Sequence, residues 1–443
     1  MHNFRKYSAR ACKIVVFIIA LAVVMNISGE TLELKTWYTK YGDFYDGNMD
    51  YDVLFFGSSH VLNGIDPMAL YGEYGIKSYN MAYQSMSIPA SYWIMMNALD
   101  YTEPKIVVLD CYLIDHASKI VSSNYSSYHI PFDAFDFSMT KAAAAFDLLN
   151  DPILNEALTN EEISINEEKT PLSFLWNYSL YHSRWNSLTW RDFSPEANIY
   201  ITKGFTLKNG TQQITGTINL DVEEWKENTI AIDYIYKMIH ECKKRDINIV
   251  LMYLPCLGDQ VPFSYRVEKI AEEEQVECVN FFKENVVSYQ TDFFDHRGHL
   301  NGVGAYKVTT YLGKLFTEQI CRDNTGISTE PDDMWDQELK QYQEDNQKRL
   351  LNEEDFETVV SMSRMPVYNT EIVASDEWSM KAFQSLYPEF NINLKRDDLG
   401  EYPAWNIKFV YTNIDGTITH NDFEVEFQQL EDNTFEMTGS KKL

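Results

Sequence analysis

Positive charge is scarce in this sequence: 37 Lys and Arg stand against 66 Asp and Glu in 443 residues, for a net charge of −29. A surface of that sign repels phosphate backbones, which excludes nucleic acid as a partner. Cysteine is scarce too. The six, at positions 12, 111, 242, 256, 278 and 321, form no CxxC pair. A zinc ribbon and a dense disulfide scaffold are therefore excluded, and at most one or two bridges fit. No internal repeat is present, so a solenoid is excluded as well. Long uncharged apolar runs are missing everywhere but at the start.

That one run, IVVFIIALAVVMNISG at 14–29, follows Arg5, Lys6, Arg10 and Lys13. Ala11 and Cys12 extend it toward the roughly 20 residues a spanning helix needs, and Lys13 can snorkel. A cleaved signal peptide and an uncleaved signal anchor both begin this way. Large residues at Val24, Met25 and Ile27 leave no small-x-small cleavage site, which favours a signal anchor over residues 1–29. Basic residues ahead of the run keep that end inside, so the rest of the chain is expected outside the cytoplasm, bound to the membrane through this helix.

Apolar content is high, with 45% hydrophobic and 14% aromatic residues. Past a Tyr-rich connector at 30–50, buried strands alternate with helices. Strands are predicted at 52–57, in KSYNMA, and at 105–110, 247–255 and 276–281; the first is a continuous apolar run closed by Gly57. Asp66-Pro67 opens a helix that Gly75 closes, and further helices follow in SIPASYWIMMNALDY, at 229–246, in YRVEKIAEEEQ and at 301–320. Five strands alternating with helices predict a parallel sheet with right-handed crossovers.

Two stretches break the pattern. Residues 115–225 read as a long insertion, with a helical KAAAAFDLLN and the aromatic FLWNYSLYHSRWNSLTW. From about 326 the composition shifts: residues 330–357 carry eleven acids against three bases, and read as a solvated helix or linker. Beyond 365, FEVEFQQ turns Phe423, Val425 and Phe427 to one face, and TNIDGTIT supplies an Asp-Gly hairpin turn. The tail, 326–443, is predicted as a small α+β extension.

Parallel sheets place their sites beyond the carboxyl ends of the strands. DVLFFGSSHVLNG (52–64) puts Ser58, Ser59 and His60 at such an end, and TDFFDHRGHLNGVGAYK (291–307) brings Asp292, Asp295, His296 and His299 past the fifth strand. A serine hydroxyl needs an imidazole to take its proton, and the imidazole needs a carboxylate to hold its tautomer. The same Asp and His residues could instead be metal ligands. They could also be a polar loop with Asn301 capping the last helix.

FFGSSH resembles the first block of SGNH/GDSL hydrolases, and DHRGHLNGVGA is similar to their last block. The resemblance covers about 50–320 and is nearest to the membrane-anchored branch that includes teichoic-acid D-alanine transfer and alginate O-acetylation proteins. It implies a flavodoxin-like three-layer α/β/α domain over 30–325, with strand order 2-1-3-4-5. It implies Ser59 as nucleophile and His299 as base. Asp295, at an unusual DxxxH spacing, is the expected orienting acid, with Asp292 still open. Backbone N–H groups of Ser59 and Ala82 are the implied oxyanion donors; Ala82 stands where the family has Gly. The third-block Asn is absent, since Asp110 and Tyr112 occupy that stretch. His60, Asn80, His182 and Trp185 are candidate substrate contacts, the last two in a groove with Trp176 and Trp190. Cys111 and Cys256 each follow one of two strands that this order makes neighbours, close enough to consider a disulfide.

The function implied is O-acyl transfer or ester hydrolysis on a cell-envelope polysaccharide, with no cofactor and no metal. Partners would be a cell-surface glycan or acyl donor and a membrane-bound O-acyltransferase. The alternative is a non-catalytic envelope-assembly or binding protein that keeps the fold.

Overall fold

A computed structural model describes residues 2–33, 35–46, 50–121, 128–153, 156, 174–193, 201–215, 218–320, 332–365, 368, 370–388, 390–394, 406–412, 416–429 and 435–441. The chain begins with a 31-residue helix, α1 (His2–Leu32). Its stretch Cys12–Gly29 is long and apolar enough to cross a membrane. The shorter α2 (Thr36–Asp46) follows at once.

Strand β1 (Val53–Phe56) is apolar throughout because both its faces are covered. Leu54 and Phe56 enter one core cluster, Val53 and Phe55 the other. It leads into α3 (Ser59–Gly64) and α4 (Pro67–Tyr74). Asp66 caps α4 by accepting from the N–H groups of Met68 and Ala69, and Gly75 ends it in a left-handed conformation, φ +69°. Then come β2 (Ser78–Asn80), α5 (Ile88–Ala98) and β3 (Ile106–Asp110). The insertion contributes α6 (His129–Asp133), α7 (Met139–Leu149), α8 (Asn177–Tyr181) and a small hairpin of β4 (Ile201–Thr202) and β5 (Phe205–Thr206). The alternation resumes with α9 (Ile230–Lys244), β6 (Asn248–Tyr253), α10 (Val261–Glu274), β7 (Glu277–Asn280) and α11 (Gly302–Leu315).

The main sheet has the order β2-β1-β3-β6-β7, every pair parallel. Helices α5, α9 and α10 cover one face through Ile94, Ile235 and Ile270; α11 covers the other through Val308 and Leu312. This is a three-layer, flavodoxin-like α/β/α domain, with all five carboxyl ends at one edge.

The acidic stretch after residue 330 is the helix of the two readings, helix or linker, but it buries one face. It forms α12 (Asp333–Asn352), which packs on α4. Trp335, Tyr342, Asn346 and Leu350 recur on one face and are buried. Tyr342 Oη donates to Asp66, the cap of α4 (2.7 Å), and two acids of this segment are paired, Asp332 with Lys77 (2.6 Å) and Glu338 with Lys203. Next come α13 (Phe356–Ser363), β8 (Thr370–Ala374), α14 (Glu377–Leu386), β9 (Ile392–Leu394), β10 (Ile407–Thr412), β11 (Ile418–Gln429) and β12 (Phe435–Lys441). Their sheet, in the order β12-β11-β10-β8-β9, is antiparallel except for β8 against β9. Phe423 and Val425 are buried and Phe427 packs beside them. β10 and β11 pair as a hairpin; residues 413–415 of its Asp-Gly turn lie outside the described residues. This extension shares a core with Phe205, Leu207, Val303 and Ala305, next to the start of α11.

Candidate active site

β1 ends at Gly57, whose φ of +150° suits glycine alone. A Cβ there would lie 2.7 Å from Val61 Cγ2 and 3.0 Å from Asp110 Cβ. This tight turn lets α3 start at once, with Ser58 as its N-cap and Ser59 as its first residue. Ser58 Oγ turns to the His60 backbone N–H and ring Nδ1, both at 3.5 Å. Ser59 Oγ faces the other way, 2.7 Å from His299 Nε2.

The loop carrying His299 is a closed turn. Phe293 and Leu300 bridge in antiparallel fashion, and the Phe294 N–H donates to the His299 carbonyl (3.0 Å). Gly298 takes φ +83° over Cys256. Asp295 Oδ1 closes the turn by accepting from the backbone N–H groups of Arg297 (3.0 Å) and His299 (3.2 Å). Its Oδ2 lies 2.8 Å from His299 Nδ1. The DxxxH spacing thus makes one carboxylate both a turn staple and the imidazole's partner. Burial alone would raise the Asp295 pKa. The hydrogen bond and charge of His299 and the two backbone donors outweigh it, holding this carboxyl below its usual range. An ionised Asp295 requires the proton on Nδ1, leaving Nε2 as acceptor for the Ser59 hydroxyl.

His299 is held between two rings. His60 stacks on it at 4.6 Å and Phe294 at 5.6 Å. His60 is 3% exposed and packs in turn on Tyr112, at 3.8 Å. Burial, then the neighbouring His299, lower its pKa to about 3, so it stands neutral. In the sequence Tyr112 stands out only as occupying the stretch of the missing third-block Asn, and Phe294 is indistinguishable from a core aromatic.

Asp292 sits elsewhere. It is fully buried, accepts from the Ser288 N–H (2.8 Å) and pairs with Lys307 (2.6 Å), with Arg364 at 3.9 Å. It fastens the loop to α11 and to the extension, away from the imidazole. His296 is exposed. Among the described residues no cluster of three or more His, Cys, Asp or Glu could hold a metal ion, so these residues do not converge as ligands. Asn301 caps α11 through the N–H groups of Val303 and Gly304 (both 3.1 Å) and donates to the carbonyls of Gly210 and Thr291.

Several sequence expectations need correction. The Ala82 N–H does not face the serine: it donates to Asn80 Oδ1 at 3.2 Å, because β2 ends in a turn that folds the Asn80 side chain back on residue 82. Asn80 is wholly buried, and its amide donates to the carbonyls of Val61 (2.7 Å) and Ile65 (3.0 Å). It holds α3 in place, with both amide hydrogens used. The Ser59 N–H, at the first turn of α3, has no partner among the described residues. His182 and Trp185 lie on a short 3-10 turn that packs on α1 and α8, and both are exposed. Cys111 and Cys256 are both buried free thiols; Cys111 Sγ turns back toward the Leu109 carbonyl at 3.8 Å.

No family model matches the chain, and no curated protein matches it. Solved structures resemble it, two of them as follows. One, assigned as an acylhydrolase from Bacteroides fragilis, is 10% identical with a TM-score of 0.32, over 65% of this chain and 99% of that one. The other, a GDSL-like lipase from Bacteroides thetaiotaomicron, is 11% identical with a TM-score of 0.30, over 63% of this chain and 98% of that one.

Proposed function

We propose that this chain is a serine esterase or O-acyltransferase whose nucleophile is Ser59. The observation that carries the reading is the unbroken hydrogen-bond line from Asp295 Oδ2 through His299 to Ser59 Oγ, at 2.8 and 2.7 Å. In this reading Ser59 Oγ attacks an acyl carbonyl while His299 Nε2 takes its proton, and Asp295 stabilises the imidazolium. The Ser59 N–H donates to the developing oxyanion. His299 then returns the proton to the leaving alkoxide, leaving an acyl-serine. Water or an acceptor hydroxyl, deprotonated by the same imidazole, attacks that acyl group and regenerates Ser59. Water gives hydrolysis; a sugar hydroxyl gives transfer.

The acyl acceptor or donor is a cell-envelope polysaccharide, and the domain lies outside the cytoplasm, tethered by α1. Support for both comes from the resemblance of FFGSSH and DHRGHLNGVGA to the membrane-anchored acyl-transfer branch and from the basic residues ahead of the apolar run. A membrane-bound O-acyltransferase is the proposed donor-side partner.

One observation favours a second reading, a non-catalytic envelope-assembly protein. With Ala82 committed to Asn80, the Ser59 N–H is the one oxyanion donor identified, and such sites ordinarily use more than one. The full chain in detergent, assayed on an aryl acetate, separates the two. The enzyme reading expects turnover that Ser59→Ala and His299→Ala each reduce by several orders of magnitude, with the double variant no worse. Turnover unchanged in Ser59→Ala overturns it.

A further inference from the structure

Outside α1, twelve large hydrophobic side chains are exposed among the described residues, and seven of them fall between 137 and 193. Phe137 is 79% exposed, Met139 85%, Trp185 71%, Trp190 59% and Phe193 68%. Such side chains, so concentrated, mark a contact surface.

The surface is tied to the outward end of α1. Helix α8 packs along α1: a Cβ at Gly29 would lie 3.3 Å from the Tyr178 backbone nitrogen. Arg184, on the turn that follows, donates to the carbonyls of Leu32 and Glu33 (the latter at 2.7 Å) and pairs with Asp192 at 2.8 Å. That chain of contacts fixes Trp185 and Trp190 beside the last turn of α1. Phe137 and Met139 flank Ser138, the cap of α7, whose buried Lys141 lies near the end of α1. Tyr181 Oη donates to Asp133 of α6 at 2.7 Å, and Glu33 lies near enough to act on the charge of buried Lys141.

The apolar stretch of α1 ends at Gly29. At 1.5 Å per residue the uncharged run from Ile14 to Gly29 spans roughly 24 Å, and the helical residues ahead of it carry α1 across the hydrocarbon thickness of a bilayer. Gly29 therefore marks the outer boundary, and the surface tied to Leu32 and Glu33 lies at headgroup depth. Its chemistry suits that depth. Trp combines an apolar ring with one N–H donor and concentrates at membrane interfaces. In a chain with 66 acids, residues 174–193 contain one, Asp192, which is already paired with Arg184.

We infer that Phe137, Met139, Trp185, Trp190 and Phe193 form a platform that sits in the outer headgroup layer of the bilayer spanned by α1, holding the catalytic domain at a fixed attitude on the membrane. The inference rests on the reading of α1 as a membrane anchor. Its occupant is lipid, not a protein partner or a second copy.

The test reconstitutes the full chain into phosphatidylcholine vesicles in which half of the lipid carries bromines at shallow acyl-chain positions. Quenching of tryptophan fluorescence is compared between the wild type and Trp185→Phe/Trp190→Phe. No tryptophan lies within α1. The double variant should lose at least half of the quenched signal, with an unchanged thermal midpoint and with both proteins resisting carbonate extraction. Equal quenching in two carbonate-resistant proteins would overturn the platform while sparing the anchor. Recovery of the chain in the carbonate supernatant would overturn the anchor and the platform together. A dimer in detergent that the double variant abolishes would assign the surface to a second copy and overturn the lipid contact.

Discussion

The imidazole of His60 lies against that of His299, ring centroids 4.6 Å apart and planes inclined by 28°. Its Nδ1 lies 3.5 Å from Ser58 Oγ, and the ring is buried. A second imidazole beside the proposed base would be harmful if charged, because it would repel the imidazolium that His299 must become. Burial, with the neighbouring His299 adding to it, prevents that by holding His60 neutral, with a pKa of about 3.

That arrangement has a cost in acid. The unfolded chain protonates His60 near its ordinary pKa of about 6.5, whereas the folded chain does so only near 3. Stability is therefore complete above pH 6.5 and falls as pH drops from 6.5 toward 3, because the unfolded state binds the extra proton. Between pH 7 and 5 this one group should remove about 2 kcal/mol. His60→Phe keeps a ring in the stack without the titration. Urea unfolding at the two pH values should show a smaller loss in the variant by about that amount. An identical loss would mean that the acid sensitivity arises elsewhere.

The two carboxylates of the TDFFD segment should separate cleanly. Asp295→Asn removes the partner of His299 Nδ1 and should lower turnover by roughly three to four orders of magnitude with little change in thermal midpoint. Asp292→Asn leaves Lys307 and Arg364 without their buried anion. It should cost stability toward the lower end of about 3–5 kcal/mol, since Lys307 is partly exposed, while turnover per folded molecule survives. Turnover and thermal unfolding measured on both variants check this. The opposite pattern would move the orienting role to Asp292.

Much of this was legible in the sequence. The five-strand alternation reads directly because parallel strands, covered on both faces, are continuous apolar runs, and the site follows from where such strands end. What the sequence hid were contacts set by turns. Asn80 and Ala82 sit in YNMAYQS, where nothing local reveals that the Asn side chain folds back on residue 82. In the acidic segment a helix was one of the two readings, but its eleven acids mask a buried stripe of Trp335, Tyr342, Asn346 and Leu350 at helical spacing. In the aromatic insertion the sequence also hid that Trp185 and Trp190 stand exposed beside the end of α1, a placement that depends on Arg184 reaching the carbonyls of Leu32 and Glu33.

Gly57→Ala tests how tightly the nucleophile is set. At φ +150° an alanine is strained by roughly 1–3 kcal/mol, and its methyl would press on Val61 and Asp110. Because Gly57 stands two residues before Ser59, thermal midpoint and turnover should fall together. A variant with a lowered midpoint and full turnover would show that α3 keeps its place without this turn.

The most direct test of the central claim is covalent. A fluorophosphonate reacts with a serine whose hydroxyl is activated by a neighbouring base. The full chain in detergent, treated with the reagent and mapped by peptide mass spectrometry, should carry one adduct, on Ser59. Labelling should persist in Ser58→Ala, slow by orders of magnitude in His299→Ala, and vanish in Ser59→Ala. No adduct on the folded wild-type chain, or an adduct that survives Ser59→Ala, would contradict the assignment of Ser59 as the nucleophile.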